Sequence, residues 1–269
     1  ALERAARDAW TYGDPEAHAL RHAIAARHGV APEQVVAGEG IDGLLGSLVR
    51  LTVAEGTPVV ASRGSYPTFA FHVAASGGRL LTVPYRSDGA DLGALGTLAR
   101  EAGARLLYLA NPDNPMGSMQ GAAAVEALAA SLPPTCLLVL DEAYAEFAPP
   151  GSLPRIDAGD PAVLRLRTFS KAHGLAGLRV GYAVGPAPLV AAFDRVRNHF
   201  GLGSLAQAGA LAAVQDEGWP QEVARLVARA RDRIGAVARA NGLRPLPSRA
   251  NFVALDCGGG GTLARAVLE

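Results

Sequence analysis

The stretch that decides the fold lies in the middle of the chain and reads Leu137-Leu-Val-Leu-Asp-Glu-Ala-Tyr144. Its first four residues are all apolar, whereas a strand with one solvated face would alternate apolar and polar residues. The run then ends at the acidic pair Asp141 and Glu142. This pattern predicts a strand that is buried on both faces and carries polar residues at its carboxyl end.

Similar apolar runs recur along the chain and are separated by stretches with a helical pattern. They cover residues 34–37, 58–61, 79–83, 104–110, 163–169 and 179–184. The alternation predicts the α/β class, with a mostly parallel sheet in a three-layer α/β/α large domain. After Gly201 longer helical stretches precede short strands. We therefore predict an N-terminal segment (1–27), a large domain (28–203) and a smaller α+β C-terminal domain (204–269), which ends in an apparent helix (262–269).

Composition narrows the class of partner. The chain has 25 basic and 25 acidic residues, so its charge offers no footprint for nucleic acid or an anionic membrane. No apolar stretch reaches the length of a membrane span, and the first residues lack the pattern of a signal peptide. We expect a cytoplasmic protein with a small-molecule substrate. Cys136 and Cys257 lack the spacing of metal ligands, and His18 and His22 lack a third ligand, so no metal site is predicted.

The basic residues are unevenly divided, since 24 are arginine and only Lys171 is lysine. Arginine keeps its proton under working conditions, whereas the ammonium of a lysine can be deprotonated by burial or nearby charge. Imine chemistry requires such an amine. If this chain forms an imine, Lys171 forms it.

Three polar segments follow directly on predicted strands. They are Asn111-Pro-Asp-Asn-Pro-Met-Gly117, Asp141-Glu-Ala-Tyr144, and the stretch from Thr168 through Lys171 to Arg179. Because parallel strands end at the same sheet edge, we expect these segments to converge. The hydroxyls of Thr168 and Ser170 and the guanidinium of Arg179 suit a phosphate.

Taken singly, the other two segments have simpler explanations. The turn at 111–117 is accounted for by its prolines and glycine. Asp141 alone is better explained as a helix cap or a structural ion pair. A buried carboxylate at that position is also suited to a protonated ring nitrogen, which would compensate its desolvation.

A fourth segment, Gly38-Glu-Gly-Ile-Asp-Gly43, has the form G-x-G-x-x-G, follows a predicted strand and precedes a helix predicted from Leu44. Backbone N–H groups at a helix start bind phosphate, whichever cofactor carries it. A dinucleotide is one alternative. Since the next strand ends at Ser62 and Arg63 rather than at an acid, that alternative is an NADP-dependent oxidoreductase.

The segments together resemble the fold-type I, class I/II aminotransferases, and specifically the histidinol-phosphate aminotransferase-like group. NPDNPMG resembles the family's NPxNPTG with Met116 in place of threonine, DEAY resembles DxAY, and TFSKAHGLAGLR resembles S/T-x-S-K-x7-R. The resemblance covers nearly the whole chain. It implies pyridoxal 5'-phosphate as cofactor, an amino donor and a 2-oxo acid acceptor as substrates, and a homodimer with shared active sites.

The resemblance also implies a role for each matching residue. Lys171 would hold the cofactor as an imine and carry protons, and Asp141 would face the pyridine nitrogen. The remaining contacts would be made by Asn114 and Tyr144 at the ring hydroxyl, Tyr66 on the ring face, Thr168, Ser170, Arg179 and the N–H groups of Ile41 and Asp42 at the phosphate, and Tyr12 at the phosphate of the partner subunit.

Two points stay open at this stage. The family's arginine for the substrate carboxylate would lie beyond Glu269, and Arg249 is not a substitute for it. A threonine-phosphate decarboxylase-like enzyme shares these motifs, so they do not separate transamination from decarboxylation. A regulatory domain of this type usually accompanies a DNA-binding module, which the sequence lacks.

Overall fold

The computed structural model describes residues 1–155 and 157–258 of the chain. The predicted helix at 262–269 therefore lies outside the described residues. The helices are α1 (Leu2–Ala5), α2 (His18–His28), α3 (Gly40–Thr52), α4 (Pro67–Ala75), α5 (Leu92–Glu101), α6 (Ala122–Ser131), α7 (Ala187–Phe193), α8 (Ser204–Gln215) and α9 (Gly218–Ala240). The strands are β1 (Val35–Gly38), β2 (Pro58–Ser62), β3 (Arg79–Val83), β4 (Leu106–Ala110), β5 (Leu137–Asp141), β6 (Val163–Thr168), β7 (Gly181–Val184), β8 (Arg244–Pro245) and β9 (Leu255–Asp256).

The first seven strands form one sheet in the order β1-β7-β6-β5-β4-β2-β3. Strands β3, β2, β4, β5 and β6 pair in parallel, and β7 runs antiparallel to both of its neighbours. The predicted α/β class with a mostly parallel sheet is confirmed. The continuous apolar runs are its strands, and β4 and β5 are buried along their whole length.

Helices cover both faces of this sheet, as a three-layer architecture requires. On one face α3, α4 and α7 pack through a core that includes Leu45, Phe69 and Phe193. On the other face α5 and α6 pack through Leu95 and Val125. Near β1 and β7, α2 and α8 add a third cluster of buried residues.

Among the predicted boundaries that differ from the structure, two are explained by the backbone. The strand predicted from residue 179 begins at Gly181, because Arg179 has a φ of 53°, in the left-handed region, and cannot continue a strand. The helix predicted from Leu44 begins at Gly40. Gly40 has a φ of 74°, which glycine adopts without strain, so the chain turns there and the helix starts four residues earlier.

The strand register brings the predicted polar segments to one edge of the sheet. Ala110 on β4 pairs with Asp141 on β5, and Asp141 pairs with Leu166 on β6. Thr168 and Gly38 both pair with Gly181 at the start of β7. The ends of β1, β4, β5 and β6 and the start of β7 therefore meet at this edge.

The C-terminal part packs across this edge. The guanidinium of Arg231 on α9 donates to the carbonyl of Ala250 at 2.9 Å, and the N–H of Arg249 donates to the carbonyl of Gly117 at 2.7 Å. The short strand predicted near residues 243–246 contains β8, whereas the one predicted at 251–255 shares only Leu255 with β9; β8 and β9 form an antiparallel pair. The domain boundaries at 27/28 and 203/204 remain predictions. Among the described helices, none combines the length and apolar character needed to cross a membrane.

Candidate active site

An open cavity of about 670 Å³ lies at the edge where the strands end. Ten of the eleven predicted site residues line it, and Tyr12 does not. The lining consists of Ile41, Asp42, Tyr66, Tyr108, Ala110, Asn114, Asp141, Ala143, Tyr144, Thr168, Ser170, Lys171, Ala176 and Arg179.

Asp141 is the last residue of β5, and only 5% of its surface is exposed. Its Oδ2 accepts a hydrogen bond from the Tyr108 hydroxyl at 2.7 Å, and its Oδ1 accepts one from the N–H of Ala143 at 3.0 Å. Burial raises the pKa of the carboxyl to about 6, although the hydrogen bond from Tyr108 acts in the opposite direction. A cation placed in the cavity would therefore stabilise the ionised form of Asp141.

Lys171 follows β6 in a tight turn, in which the N–H of Gly174 donates to the Lys171 carbonyl at 3.0 Å. Its Nζ lies 5.2 Å from the centre of the Tyr144 ring. Tyr144 is buried, and burial raises the pKa of its hydroxyl to about 12, so the hydroxyl is neutral. Asn114 Nδ2 donates to that hydroxyl at 3.1 Å. The amine, the phenol and the amide are thus grouped on one side of the cavity.

The turn that carries Asn114 is held by its own side chains. The carboxylate of Asp113 accepts hydrogen bonds from the Tyr85 hydroxyl and the Met116 N–H, each at 3.0 Å. Asn111 Oδ1 accepts from the N–H of Gln120 at 2.8 Å. Because these bonds fix the turn at several points, the position of Asn114 is set before any ligand binds.

Groups suited to binding a phosphate lie together on another part of the cavity wall. Ile41 and Asp42 lie in the first turn of α3, where backbone N–H groups have no partner within the helix. The Thr168 hydroxyl donates to Ser170 Oγ at 3.0 Å, and Arg179 lies beside Ser170. The left-handed φ of Arg179 is costly for a residue with a side chain, and such strain is concentrated at functional sites.

A glycine permits this convergence. A Cβ atom on Gly181 would lie 2.8 Å from the backbone nitrogen of Ile41, closer than a side chain can approach without displacing the backbone. The start of β7 and the start of α3 can therefore touch only because residue 181 has no side chain.

The two remaining predicted aromatic residues lie in different environments. Tyr66 caps the start of α4 and is half-buried at the cavity. Tyr12 is 85% exposed, away from this cavity, with its ring centre 5.0 Å from that of Phe200. This exposure leaves Tyr12 available to another molecule.

Sequence reasoning missed Tyr108, which lines the cavity and bonds Asp141. A tyrosine inside an apolar run is typical of an ordinary core residue. The available signal was its alternation with Ala110, which places Tyr108 on the sheet face that also carries Asp141.

The histidine rings at positions 18 and 22 lie next to each other, with ring centres 3.9 Å apart and planes tilted by 33°. Across residues 1–155 and 157–258, no three His, Cys, Asp or Glu side chains are grouped as a metal site.

Comparisons with known proteins identify the family. The model of the family "Aminotransferase class I and II" matches residues 1–266. A histidinol-phosphate aminotransferase of Moorella thermoacetica is 35% identical over 260 residues, which are 95% of this chain and 67% of the relative. Histidinol-phosphate aminotransferase 2 of Ralstonia nicotianae is 38% identical over 252 residues, with 92% and 67% covered. The chain spans about two thirds of the length of both relatives.

Solved structures show the same relationship. The crystal structure of a histidinol-phosphate aminotransferase from Sinorhizobium meliloti, in complex with pyridoxal-5'-phosphate, is 52% identical with a TM-score of 0.96; the match covers 99% of this chain and 73% of that one. A mutant aspartate aminotransferase of Thermus thermophilus, at 22% identity and a TM-score of 0.84, shares the fold over 96% of this chain and 77% of its own.

These matches confirm the resemblance drawn from the motifs and leave the oxidoreductase alternative without support. The chain belongs to the family of class I and II aminotransferases and is a pyridoxal-phosphate-dependent enzyme of that family.

Proposed function

We propose that this enzyme transfers an amino group between histidinol phosphate, or a closely related amino phosphate or amino acid, and a 2-oxo acid, as a step of amino-acid biosynthesis. The substrate class is supported by the relatives, which are histidinol-phosphate aminotransferases. The observation that carries the chemistry is the single cavity that holds the one side-chain amine of the chain, a buried carboxylate and a phosphate-binding end.

The cavity fits pyridoxal phosphate at both of its polar ends. The first turn of α3, the hydroxyls of Thr168 and Ser170 and the guanidinium of Arg179 provide donors and positive charge for a phosphate. Elsewhere in the cavity, burial raises the pKa of Asp141, and the positive charge of Lys171 lowers it too little to offset this effect. Once bound, the cofactor supplies an aldehyde for amines and a cationic ring that withdraws electrons.

The roles of the other residues follow from their positions. Asp141 would accept a hydrogen bond from a protonated ring nitrogen, and the side chains of Asn114 and Tyr144 would donate hydrogen bonds at the ring hydroxyl. Tyr66 would pack its ring against the cofactor. Lys171 Nζ would hold the cofactor in the absence of substrate and would move the α proton of a bound substrate.

The test of the Lys171 assignment is spectroscopic. Purified protein reconstituted with pyridoxal phosphate should be yellow, and borohydride should reduce this chromophore and fix the cofactor to Lys171 in a peptide map. In Lys171→Ala we expect no covalent attachment and a fall in kcat of at least about 10²-fold to 10⁴-fold. A Lys171→Ala protein that keeps a reducible yellow chromophore at full amplitude would refute the assignment.

The substrate class is tested with a panel of donors. Histidinol phosphate, aromatic amino acids and threonine phosphate are each supplied with several 2-oxo acids, and both the amino product and released CO₂ are measured. We expect the highest kcat/KM for histidinol phosphate and no CO₂. Stoichiometric CO₂ from threonine phosphate would instead identify a decarboxylase.

The homodimer is part of this proposal. Tyr12 reaches the cofactor phosphate of the partner subunit, an assignment supported by its 85% exposure outside the cavity of its own chain. The neighbouring exposed aromatic residues Trp10 and Phe200 add apolar surface suited to burial against a second copy. Sedimentation equilibrium should give twice the chain mass.

A cytoplasmic location is also proposed. The free thiols of Cys136 and Cys257 in the structure suit a reducing compartment. Fractionation of the source cells, with the chain detected by antibody, is the corresponding test.

A further inference from the structure

Tyr108 occupies a position that allows its hydroxyl to control Asp141. In the parallel pairing of β4 with β5, Tyr108 lies opposite Val139, and Asp141 follows two residues later on β5. Alternate residues of a strand share a face, and a long side chain reaches its diagonal neighbour. The Tyr108 hydroxyl accordingly donates to Asp141 Oδ2 at 2.7 Å.

The ring of Tyr108 is fixed by packing. It is 1% exposed and stacks on Phe69 with ring centres 4.6 Å apart and planes 16° from parallel. Phe69, in the first turns of α4, is itself 1% exposed. Because a close-packed core leaves such rings no room to turn, the hydroxyl is held at Asp141. Burial and the charge of Asp141 raise the pKa of Tyr108 well above its usual value, so the hydroxyl remains a neutral donor.

Asp141 is thus held from two directions. Oδ1 accepts the N–H of Ala143, and Oδ2 accepts the hydroxyl of Tyr108. Both donors favour the ionised carboxyl over the protonated one and define its plane. Each oxygen keeps a further lone pair, so the carboxylate can still accept a bond from the cavity.

We propose that Tyr108 is a positioning residue. Its hydroxyl keeps the Asp141 carboxylate ionised and oriented to accept a hydrogen bond from a protonated ring nitrogen. This inference rests on the proposed function, since that function assigns Asp141 to the cofactor ring. Tyr108 itself acts through Asp141 and also shapes the cavity wall.

Other charged and titratable groups surround this pair and stay unchanged in the test. Glu142 follows Asp141 on the chain, is neutralised by Arg165 and Arg167, and raises the pKa of Asp141, whereas Lys171 lowers it. Asp113 and Tyr66 also raise the pKa of Tyr108. A Tyr108→Phe substitution removes one hydroxyl and leaves all of these groups in place.

The first arm of the test uses the cofactor-free protein with ¹³C-labelled aspartate carboxyl groups. The signal of Asp141 is assigned by its loss in Asp141→Asn, and its titration is followed from pH 4 to pH 8. In Tyr108→Phe we expect the midpoint to rise by about one pH unit, because a hydrogen bond to the charged form is lost. The matched control is Tyr182→Phe, which removes a buried hydroxyl bonded to His28 instead, and it should leave the midpoint unchanged.

The second arm uses the holoenzyme. We expect Tyr108→Phe to lower kcat about tenfold with little change in KM, and to have much less effect when Asp141 is already Asn. Full additivity of the two substitutions, or an unmoved Asp141 midpoint in Tyr108→Phe, would overturn the inference. Full activity in Asp141→Asn would instead overturn the proposed function, so the two failures are distinguishable.

A third measurement needs no variant of Tyr108. In wild-type protein with ¹³Cζ-labelled tyrosine, the Tyr108 signal should shift with the same midpoint as the Asp141 carboxyl, and it should not titrate there in Asp141→Asn. If Tyr108→Phe does not fold, this comparison still tests the inference. A Tyr108 signal that does not shift when Asp141 titrates would refute it.

Discussion

In the cofactor-free protein, the buried position of Asp141 disfavours the ionised form of its carboxyl group. Burial raises the pKa of this carboxyl from its usual 3.8 to about 6. The folded state therefore binds a proton more tightly than the unfolded state does. The contribution of this group to stability is complete below about pH 4 and is lost as the pH rises through about 6.

An Asp141→Asn substitution should remove this pH dependence. Relative to the wild type, the cofactor-free variant should gain about 3 kcal/mol of unfolding free energy between pH 4 and pH 8, which corresponds to the shift in pKa. Urea denaturation at a series of pH values measures this difference. Parallel pH profiles for the two proteins would show that Asp141 has an ordinary pKa.

Glu142, the next residue, is in the opposite situation. Its side chain is fully buried and bonds both Arg165, at 2.8 and 3.0 Å, and Arg167, at 2.9 Å. Burial raises its pKa, but the two guanidinium groups together outweigh burial and hold the pKa below its usual value. The pKa values of these adjacent carboxylates are therefore shifted in opposite directions, because Asp141 faces an open cavity and Glu142 faces two arginines.

Removing the charge of Glu142 should be costly, since Arg165 loses its carboxylate partner and Arg167 keeps only its longer contact with Glu146. We expect Glu142→Gln to lower the unfolding free energy at pH 7 by roughly 3–5 kcal/mol. The matched control is Glu222→Gln, which breaks the exposed pair of Glu222 and Arg225 and should leave the denaturation midpoint unchanged. Equal effects of the two substitutions would contradict the structural importance of the Glu142 pairs.

At the scale of elements, the proposed phosphate site depends on how closely β7 approaches the start of α3. In a Gly181→Ala variant the new methyl group would lie 2.8 Å from Ile41 N and should push the first turn of α3 outward. We expect a rise of about tenfold or more in the Kd for pyridoxal phosphate, because the N–H groups lose their aim at the phosphate. Titration of the cofactor-free protein by absorbance measures this affinity.

Gly121→Ala is the control for that experiment, since nothing lies within 4 Å of the added methyl group and the backbone φ there is −65°. It should bind the cofactor like the wild type. An unchanged Kd in a folded Gly181→Ala protein would show that the contact does not shape the phosphate site.

Features that depend on the residue pattern of a single strand were predicted correctly from the sequence. The strands were predictable because continuous apolar runs such as 137–140 fit a doubly covered sheet, and convergence of the polar segments followed from parallel topology. The start of α3 and of β7 depended on the left-handed backbone at Gly40 and Arg179, which residue patterns do not specify. Tyr108 was missed because its partner lies 33 residues away on another strand.

At the scale of the whole molecule, the proposed dimer predicts complementation between two defective subunits. A Lys171→Ala subunit still carries Tyr12, and a Tyr12→Ala subunit still carries Lys171, so a hybrid dimer has one intact site. Random exchange of subunits should restore about a quarter of wild-type activity. Assay after mixing under exchange conditions, with each variant alone as control, measures this recovery. Activity equal to the average of the separate variants would mean that sites are not shared.

The position of the only lysine has a practical consequence for handling the protein. Apart from the histidines, every other basic side chain in these 269 residues is a guanidinium, so within them an amine-selective acylating reagent finds one side-chain amine, which lies within the cavity. Under the proposed function, bound cofactor would occupy that nitrogen and shield it. The extent of acylation at Lys171, read by mass spectrometry, therefore reports the fraction of molecules that hold cofactor without any engineered label.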